Sequence, residues 1–113
     1  MKQKSRRAKS SLLQNYVRDK ILANFPHLKP ADVATALNGQ IGPDVILSKV
    51  ARKLVGVNFE CKNQNQLKTI YDWYRQSQKH SKGKLMSAVV MKMNSRSPLV
   101  VIDLDDFFKL IKE

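Results

Sequence analysis

The sequence predicts one small mixed α/β (α+β) domain, in which helices pack against a mixed β-sheet. Two stretches carry apolar residues at the spacing of an amphipathic helix, and shorter apolar or alternating stretches are typical of strands. The chain has 113 residues, 42% of them hydrophobic, which suffices for one modest core. The elements are expected in the order α-β-β-β-α-β-β-α.

The N-terminal end combines a basic segment with the first predicted helix. Residues 1–9 contain five Lys or Arg and almost nothing apolar, so we expect a flexible basic arm that contacts phosphates. The helix is predicted to begin at Ser10 or Ser11, either of which can cap it, and to end before Pro26. The single folded domain is therefore predicted to cover 10–113.

Three short strands are predicted in the first half of this domain. They are A-T-A-L-N-G at 34–39, D-V-I-L-S at 44–48 and V-N-F-E-C-K at 57–62. The intervening K-V-A-R-K-L-V-G at 49–56 is expected to be a basic connection that ends at a glycine. Strands this close in sequence are expected to lie antiparallel.

The second half is predicted to contain a helix, a pair of strands and a last short helix. The pattern L-x-x-I-Y-x-W-Y indicates a helix over 65–80, and the turn S-K-G-K follows it. The apolar runs at 85–93 and 98–103 are typical of strands. The last helix, 105–111, is expected to be capped near Asp103.

The charge of the chain indicates a polyanionic partner. Twenty-one Lys and Arg stand against nine Asp and Glu, which gives a net charge of +12. Such an excess favours nucleic acid or an anionic surface as the partner. No apolar run approaches the ~20 residues of a spanning helix, no secretory signal follows the N-terminus, and one Cys fits a reducing compartment. We therefore expect an intracellular, cytoplasmic protein that does not enter membranes.

Two carboxylates are expected to meet on the surface of the predicted sheet. Alternation in V-N-F-E-C-K places Glu60 and Lys62 on one side and Val57, Phe59 and Cys61 on the other. Asp44 opens the preceding strand, and antiparallel pairing would bring its carboxylate near that of Glu60. Two carboxylates that converge repel each other unless a cation neutralises them. Mg²⁺ fits because it needs few protein ligands and keeps water or phosphate at its other positions.

The same residues carry a resemblance to the PD-(D/E)XK nuclease superfamily. G-P-D-V-I-L followed by F-E-C-K matches the superfamily's Pro-Asp…(Asp/Glu)-x-Lys pattern. The chain is similar to the Holliday-junction resolvases, and more so to small resolvase-like endonucleases carried by bacteriophages. The pieces R-D-K-I-L at 18–22, D-V-I-L-S at 44–48, A-R-K-L at 51–54 and E-C-K-N-Q at 60–64 stand in the expected order. The resemblance spans roughly residues 5 to 110 and implies a restriction-endonuclease-like core.

The resemblance also implies roles for individual residues. Asp44 and Glu60 would be metal ligands, joined by the backbone carbonyl of Cys61. Lys62 would be the catalytic lysine, and Gln76 matches a glutamine that faces the site in some members. The metal would be Mg²⁺, with Mn²⁺ able to replace it.

The first helix departs from the family pattern. The resolvases usually carry there a Glu that helps to hold metal, and the nearest match is Gln14. A neutral amide can hydrogen-bond a metal-bound water but adds no charge. Gln14 therefore leaves the number of bound metals open.

Basic and polar side chains away from the carboxylates are expected to grip the phosphate backbone. Contacts of this kind position a nucleic acid without reading its sequence. The predicted DNA-contacting residues are Arg6, Arg7, Lys9, Arg52, Lys53, Lys92, Asn94 and Arg96.

Each of these residues also has an ordinary structural explanation. Asp44 could fill a turn after Gly42-Pro43, and Glu60 with Lys62 could form the solvated face of a strand. The basic residues could simply be solvated, and the aromatic residues of the helix over 65–80 are expected to be core and rim in preference to base-stacking groups.

The predicted function is that of a metal-dependent DNA endonuclease acting in junction resolution or recombination and encoded by a phage. One subunit offers one active site, so symmetric cleavage of double-stranded or branched DNA predicts a homodimer. The alternatives are a homing-type site-specific endonuclease of the same superfamily and a non-catalytic nucleic-acid-binding protein on a nuclease scaffold. A ribosomal-type RNA-binding protein would explain the charge but not the paired acids.

Overall fold

The computed structural model describes residues 3–37 and 40–112, with side chains described from Ser11 onward. The chain divides into two compact units. The first unit contains the chain up to Asn63 and the C-terminal end from Ile111, and the second unit contains Gln64–Leu110. The class is mixed α+β, as predicted, with four α-helices and two two-stranded antiparallel sheets in the described residues.

The first helix, α1, spans Gln3–Asn24 and begins seven residues before the predicted start at Ser10. It includes most of the segment predicted as a basic arm. Its apolar side is buried at Val17 and Ile21, and Phe25 directly after the helix is also buried. This side contacts the first strand pair, so α1 closes the core of the first unit.

The first sheet pairs β1, Val33–Thr35, with β2, Val45–Leu47. The strands are antiparallel, with Val33 opposite Leu47 and Thr35 opposite Val45. Val33 and Val45 are buried, because alternate positions of each short strand face α1. The structure confirms β2 inside the predicted range 44–48, whereas β1 begins one residue before the predicted range 34–39 and already ends at Thr35.

A helix, α2, spans Lys49–Val55, where the sequence was interpreted as a basic connection. Ser48 caps it by accepting a hydrogen bond from the backbone N–H of Ala51 at 3.1 Å. Gly56 ends it in the left-handed conformation, with φ of 68°, which glycine adopts without steric cost. Serine before and glycine after a seven-residue segment were the helix signals that the interpretation overlooked.

The strand predicted at 57–62 is not formed, and the predicted order with three consecutive strands is therefore wrong. Residues 56–64 are irregular, and β2 pairs with β1 instead of with this segment. The single mixed sheet is replaced by two separate two-stranded sheets in the described residues. The residues between β2 and this segment, predicted as an irregular basic connection between antiparallel strands, form the helix α2.

The second unit contains α3, Lys68–Ser81, and the hairpin of β3, Ala88–Met91, and β4, Leu99–Ile102. A short 3-10 helix, Asn65–Leu67, precedes α3. Tyr74 on α3 is buried, and its hydroxyl donates to the carbonyl of Ser87 and accepts from the N–H of Asp103, both at 3.0 Å. One side chain thus links α3 to the residue before β3 and to the residue after β4.

The last helix, α4, spans Leu104–Ile111, and its predicted cap is confirmed. The carboxylate of Asp103 accepts a hydrogen bond from the N–H of Asp106 at 3.1 Å. Phe108 is fully buried, and its ring meets that of Phe107 edge to face, with centroids 5.9 Å apart. Of the helices in the described part of the chain, none has the length and apolar character to cross a bilayer.

Candidate active site

Asp44 is held next to residues 60–62 by a hydrogen bond to the backbone. Its carboxylate follows Gly42-Pro43, directly before β2, and is half-buried. Oδ2 accepts from the backbone N–H of Cys61 at 2.7 Å, across seventeen positions of sequence. A short bond from a backbone donor to a carboxylate is charge-assisted and fixes both groups. The Pro-Asp and Glu-x-Lys parts of the sequence therefore meet, although no strand pairing brings them together.

The alternation predicted for 57–62 is present in the burial of its side chains. Cys61 is buried and Val57 and Phe59 are half-buried, whereas the polar residues between them are exposed. Glu60 and Lys62 lie on the same side, with Nζ of the lysine 3.5 Å from Oε2 of the glutamate. The side chains are 59% and 65% exposed respectively, so this ion pair is open to solvent and to a ligand.

The thiol of Cys61 responds to both carboxylates. Its pKa is raised, first by burial and then by the negative charges of Asp44 and Glu60. The raised pKa keeps the thiol protonated at neutral pH, so Cys61 contributes packing and a backbone N–H instead of a nucleophile.

The donor set suits a hard divalent cation bound through few protein ligands. Among the described residues, no group of three or more His, Cys, Asp or Glu is assembled for a metal. The structure brings the Asp44 carboxylate to the backbone of Cys61, the neighbour of Glu60 in sequence. Mg²⁺ commonly binds through one or two carboxylates and completes its shell with water and substrate phosphate. The residues present fit Mg²⁺ and do not fit a closed zinc site.

The two glutamines predicted at the site have different positions. Gln14 is half-buried on α1, in the same unit as Asp44, and no hydrogen bond between described residues links it to Asp44, Glu60 or Lys62. Gln76 is exposed on α3 and belongs to the second unit. The roles of Gln14 as a water-mediated ligand and of Gln76 as a catalytic residue stay predictions.

The predicted phosphate-contacting side chains are exposed wherever the structure describes them. Arg52 and Lys53 lie in the last turn of α2, where the helix dipole stabilises positive charge. Lys92, Asn94 and Arg96 lie in the exposed tip between β3 and β4. The side chains of the remaining three, Arg6, Arg7 and Lys9, lie outside the described set.

Two aromatic side chains of α3, expected to be core or rim of the helix, are well exposed. Tyr71 is 67% exposed, and Trp73 is 47% exposed and borders a groove beside Lys92 and Arg96. An aromatic residue in a chain of charge +12 was the available signal. The position of Trp73 relative to the hairpin tip could not be derived from helix periodicity alone.

Comparison with known proteins gives no independent evidence on family. No protein-family model matches the chain, and neither a curated protein nor a solved structure is significantly similar to it. The case for function therefore depends on the motifs and on the geometry of Asp44, Glu60 and Lys62.

Proposed function

We propose that the chain is a metal-dependent DNA endonuclease of the PD-(D/E)XK type. The observation that carries the proposal is the hydrogen bond from the Cys61 N–H to the Asp44 carboxylate. It joins the two parts of the motif that are separated in sequence. The ordinary explanation of Asp44 as a turn residue does not account for this partner.

The proposed chemistry assigns one task to each side chain. Asp44 and Glu60 would hold Mg²⁺ or Mn²⁺, together with the backbone carbonyl of Cys61. When bound, the cation would lower the pKa of a water molecule and neutralise charge on the phosphodiester. Lys62, beside Glu60, would place its ammonium where negative charge develops on the phosphate oxygens. Hydrolysis joins a water oxygen to phosphorus and breaks one phosphorus–oxygen bond, leaving a phosphate monoester and a hydroxyl.

The charge of the chain supports DNA as the substrate. A net charge of +12 suits a polyanion, and the exposed cations of α2 and of the β3–β4 tip are available for phosphate contacts. We further propose a homodimer that cuts both strands of branched or double-stranded DNA, encoded by a phage and active inside the host cell.

The test is cleavage of a labelled four-way junction and a matched linear duplex in Mg²⁺, in Mn²⁺ and in EDTA. We expect metal-dependent cutting that is lost in Glu60→Gln, because the amide keeps the shape of the side chain but removes its charge. Asp19→Asn is the matched control, since Asp19 is an exposed carboxylate of the same unit paired with Arg18. Cutting in EDTA, or equal cutting by Glu60→Gln, would contradict the proposal.

A second candidate is a non-catalytic nucleic-acid-binding protein on the same scaffold. It is favoured by the ion pair of Glu60 with Lys62 and by the neutral Gln14 in place of a family glutamate. This candidate predicts salt-sensitive binding of DNA with no cleavage under any metal. The same assay therefore separates the two functions.

A further inference from the structure

The second unit contains an open groove between α3 and the end of its β-hairpin. Ile70 and Trp73 border it from α3, and Met91 and Leu99, which pair across the hairpin, border it from the opposite side. The tip between the strands contributes Lys92 and Arg96 to the lining. The groove thus combines apolar and cationic side chains, and all of them lie within Gln64–Leu110.

Several apolar side chains that line the groove are largely exposed to solvent. Trp73 is 47% exposed, Leu99 61% and Met93, also in the lining, 73%. Tyr74, the next residue on α3, is by contrast buried and hydrogen-bonded through its hydroxyl. A contiguous exposed apolar surface that is rimmed by polar side chains often marks a binding site. An indole ring in this setting offers a flat face to a ligand.

The polar side chains of the groove define the charge of that ligand. Both charged residues in the lining, Lys92 and Arg96, are cationic, and Ser95 and Ser97 add hydroxyl groups. The groove has a volume of about 870 Å³, within the range of small-ligand sites, so it admits single bases but no duplex. A ligand with flat apolar faces and regularly spaced negative charges meets both requirements. An unpaired nucleic-acid strand is such a ligand.

We propose that this groove binds an unpaired segment of DNA, with a base stacked on Trp73 and adjacent phosphates at Lys92 and Arg96. The choice of DNA over RNA depends on the proposed function, whereas the stacking depends only on the groove. The proposal adds to the cleavage site a preference for substrates that contain unpaired bases, such as flaps or open junctions.

Trp73 is the only tryptophan of the chain, so its fluorescence reports directly on the groove. The full chain is titrated in EDTA, which excludes metal-dependent cleavage, with oligo-dT, with an abasic oligomer of equal length, with a duplex and with oligo-U. We expect quenching by oligo-dT and little quenching by the abasic oligomer or the duplex, because stacking needs an accessible base.

Two variants separate stacking from charge. Trp73→Leu keeps an apolar side chain and is expected to weaken oligo-dT binding, measured by anisotropy of a labelled oligomer, between about fivefold and a hundredfold. Its control is Tyr71→Leu, which removes an exposed aromatic ring of α3 outside the groove lining and should leave binding unchanged. Arg96→Gln is expected to reduce the salt slope of binding by about one, relative to Lys79→Gln outside the lining.

Four outcomes would overturn the proposal. Equal binding and quenching by the abasic oligomer would show that charge alone acts, and preference for oligo-U over oligo-dT would assign the groove to RNA. If no oligomer quenches Trp73 and Trp73→Leu changes the oligomeric state instead, the groove is an interface between copies of this chain. Cleavage without quenching would refute this inference alone, and quenching without cleavage would refute the proposed nuclease alone.

Discussion

The two units bury their apolar residues to very different extents. In the first unit Ile21, Phe25, Val33 and Val45 are at most 2% exposed, and α1 covers both strands. In the second unit the hairpin residue Val90 is 72% exposed, although β-branched residues of this kind usually face a core. Among the described residues, most of the buried apolar side chains thus lie in the first unit, although that unit also exposes Leu37 and Ile41 and the second unit buries Phe108.

Carboxylates held by the backbone and exposed cations occur in both units, since Asp103 also accepts from a backbone N–H and Arg52 and Lys53 are also exposed. In the first unit, carboxylates are fixed by the backbone: Asp44 accepts from Cys61, and Asp32 accepts from the N–H of Lys29 at 2.8 Å. In the second unit, Lys92 and Arg96 stand at an exposed tip. A fixed carboxylate suits chemistry that needs defined geometry, whereas exposed cations and aromatic rings suit contact with a flexible polyanion. Under the proposed function, the candidate catalytic carboxylates lie in the first unit and the proposed stacking groove lies in the second.

The largest difference in stability is expected between two variants that carry the same Val→Ala substitution, one in each unit. Val45→Ala removes buried methyl groups and should lower the free energy of unfolding by about 2 kcal/mol, because a cavity remains. Val100→Ala, at a residue 61% exposed, should change it by less than about 0.5 kcal/mol. Urea denaturation of both variants measures the difference. Equal losses would show that the hairpin face is covered.

A smaller loss of stability is expected from Ser48→Ala. The hydroxyl of Ser48 caps α2 and also donates to Oδ1 of Asp32 at 2.7 Å. Losing both interactions should cost about 1–2 kcal/mol in the free energy of unfolding. Ser11→Ala, at an exposed position on α1, is the control and should be neutral. Unfolding curves that coincide for Ser48→Ala and the wild type would contradict the assigned cap.

The smallest effect concerns the pH dependence of this same network. Hydrogen bonds from the Lys29 N–H and the Ser48 hydroxyl lower the pKa of Asp32. A carboxyl with a lowered folded-state pKa contributes stability above its unfolded pKa of about 4, and this is lost as pH falls through the folded value. Asp32→Asn should therefore be less stable than the wild type at neutral pH. The difference in melting temperature between the two proteins should shrink and disappear as the pH falls below about 4. A gap that is constant over this range, measured by thermal unfolding, would rule the mechanism out.

Local signals in the sequence predicted most elements, and long-range pairing was where they failed. The apolar runs that became β2, β3 and β4 were found, as was the cap at Asp103, because each depends on adjacent residues. The segment 57–62 alternates as a strand does, but a strand needs a partner, and alternation cannot identify one. Its burial pattern was therefore predictable while its hydrogen bonding was not.

The candidate site also shows that sequence periodicity does not identify long-range partners. The sequence placed Glu60 and Lys62 on one side, which the structure bears out, and it brought Asp44 near them by assuming strand pairing. The Asp44 carboxylate does reach this segment, but through a hydrogen bond from the backbone N–H of Cys61 and not through strand pairing. A bond of this kind depends on the local path of two loops, which no periodicity encodes.

The most direct test of the account compares junction cleavage by Asp44→Asn, Glu60→Gln and the double variant in Mg²⁺. The amide oxygen introduced by Asp44→Asn can still accept from the Cys61 N–H, so the fold of that variant should be retained, as circular dichroism can verify. If both carboxylates serve one site, each single change should slow cleavage by about a hundredfold or more, and the double variant should be little slower than either. Losses that multiply in the double variant, a single variant with full activity, or a wild type that does not cut would contradict a shared catalytic site.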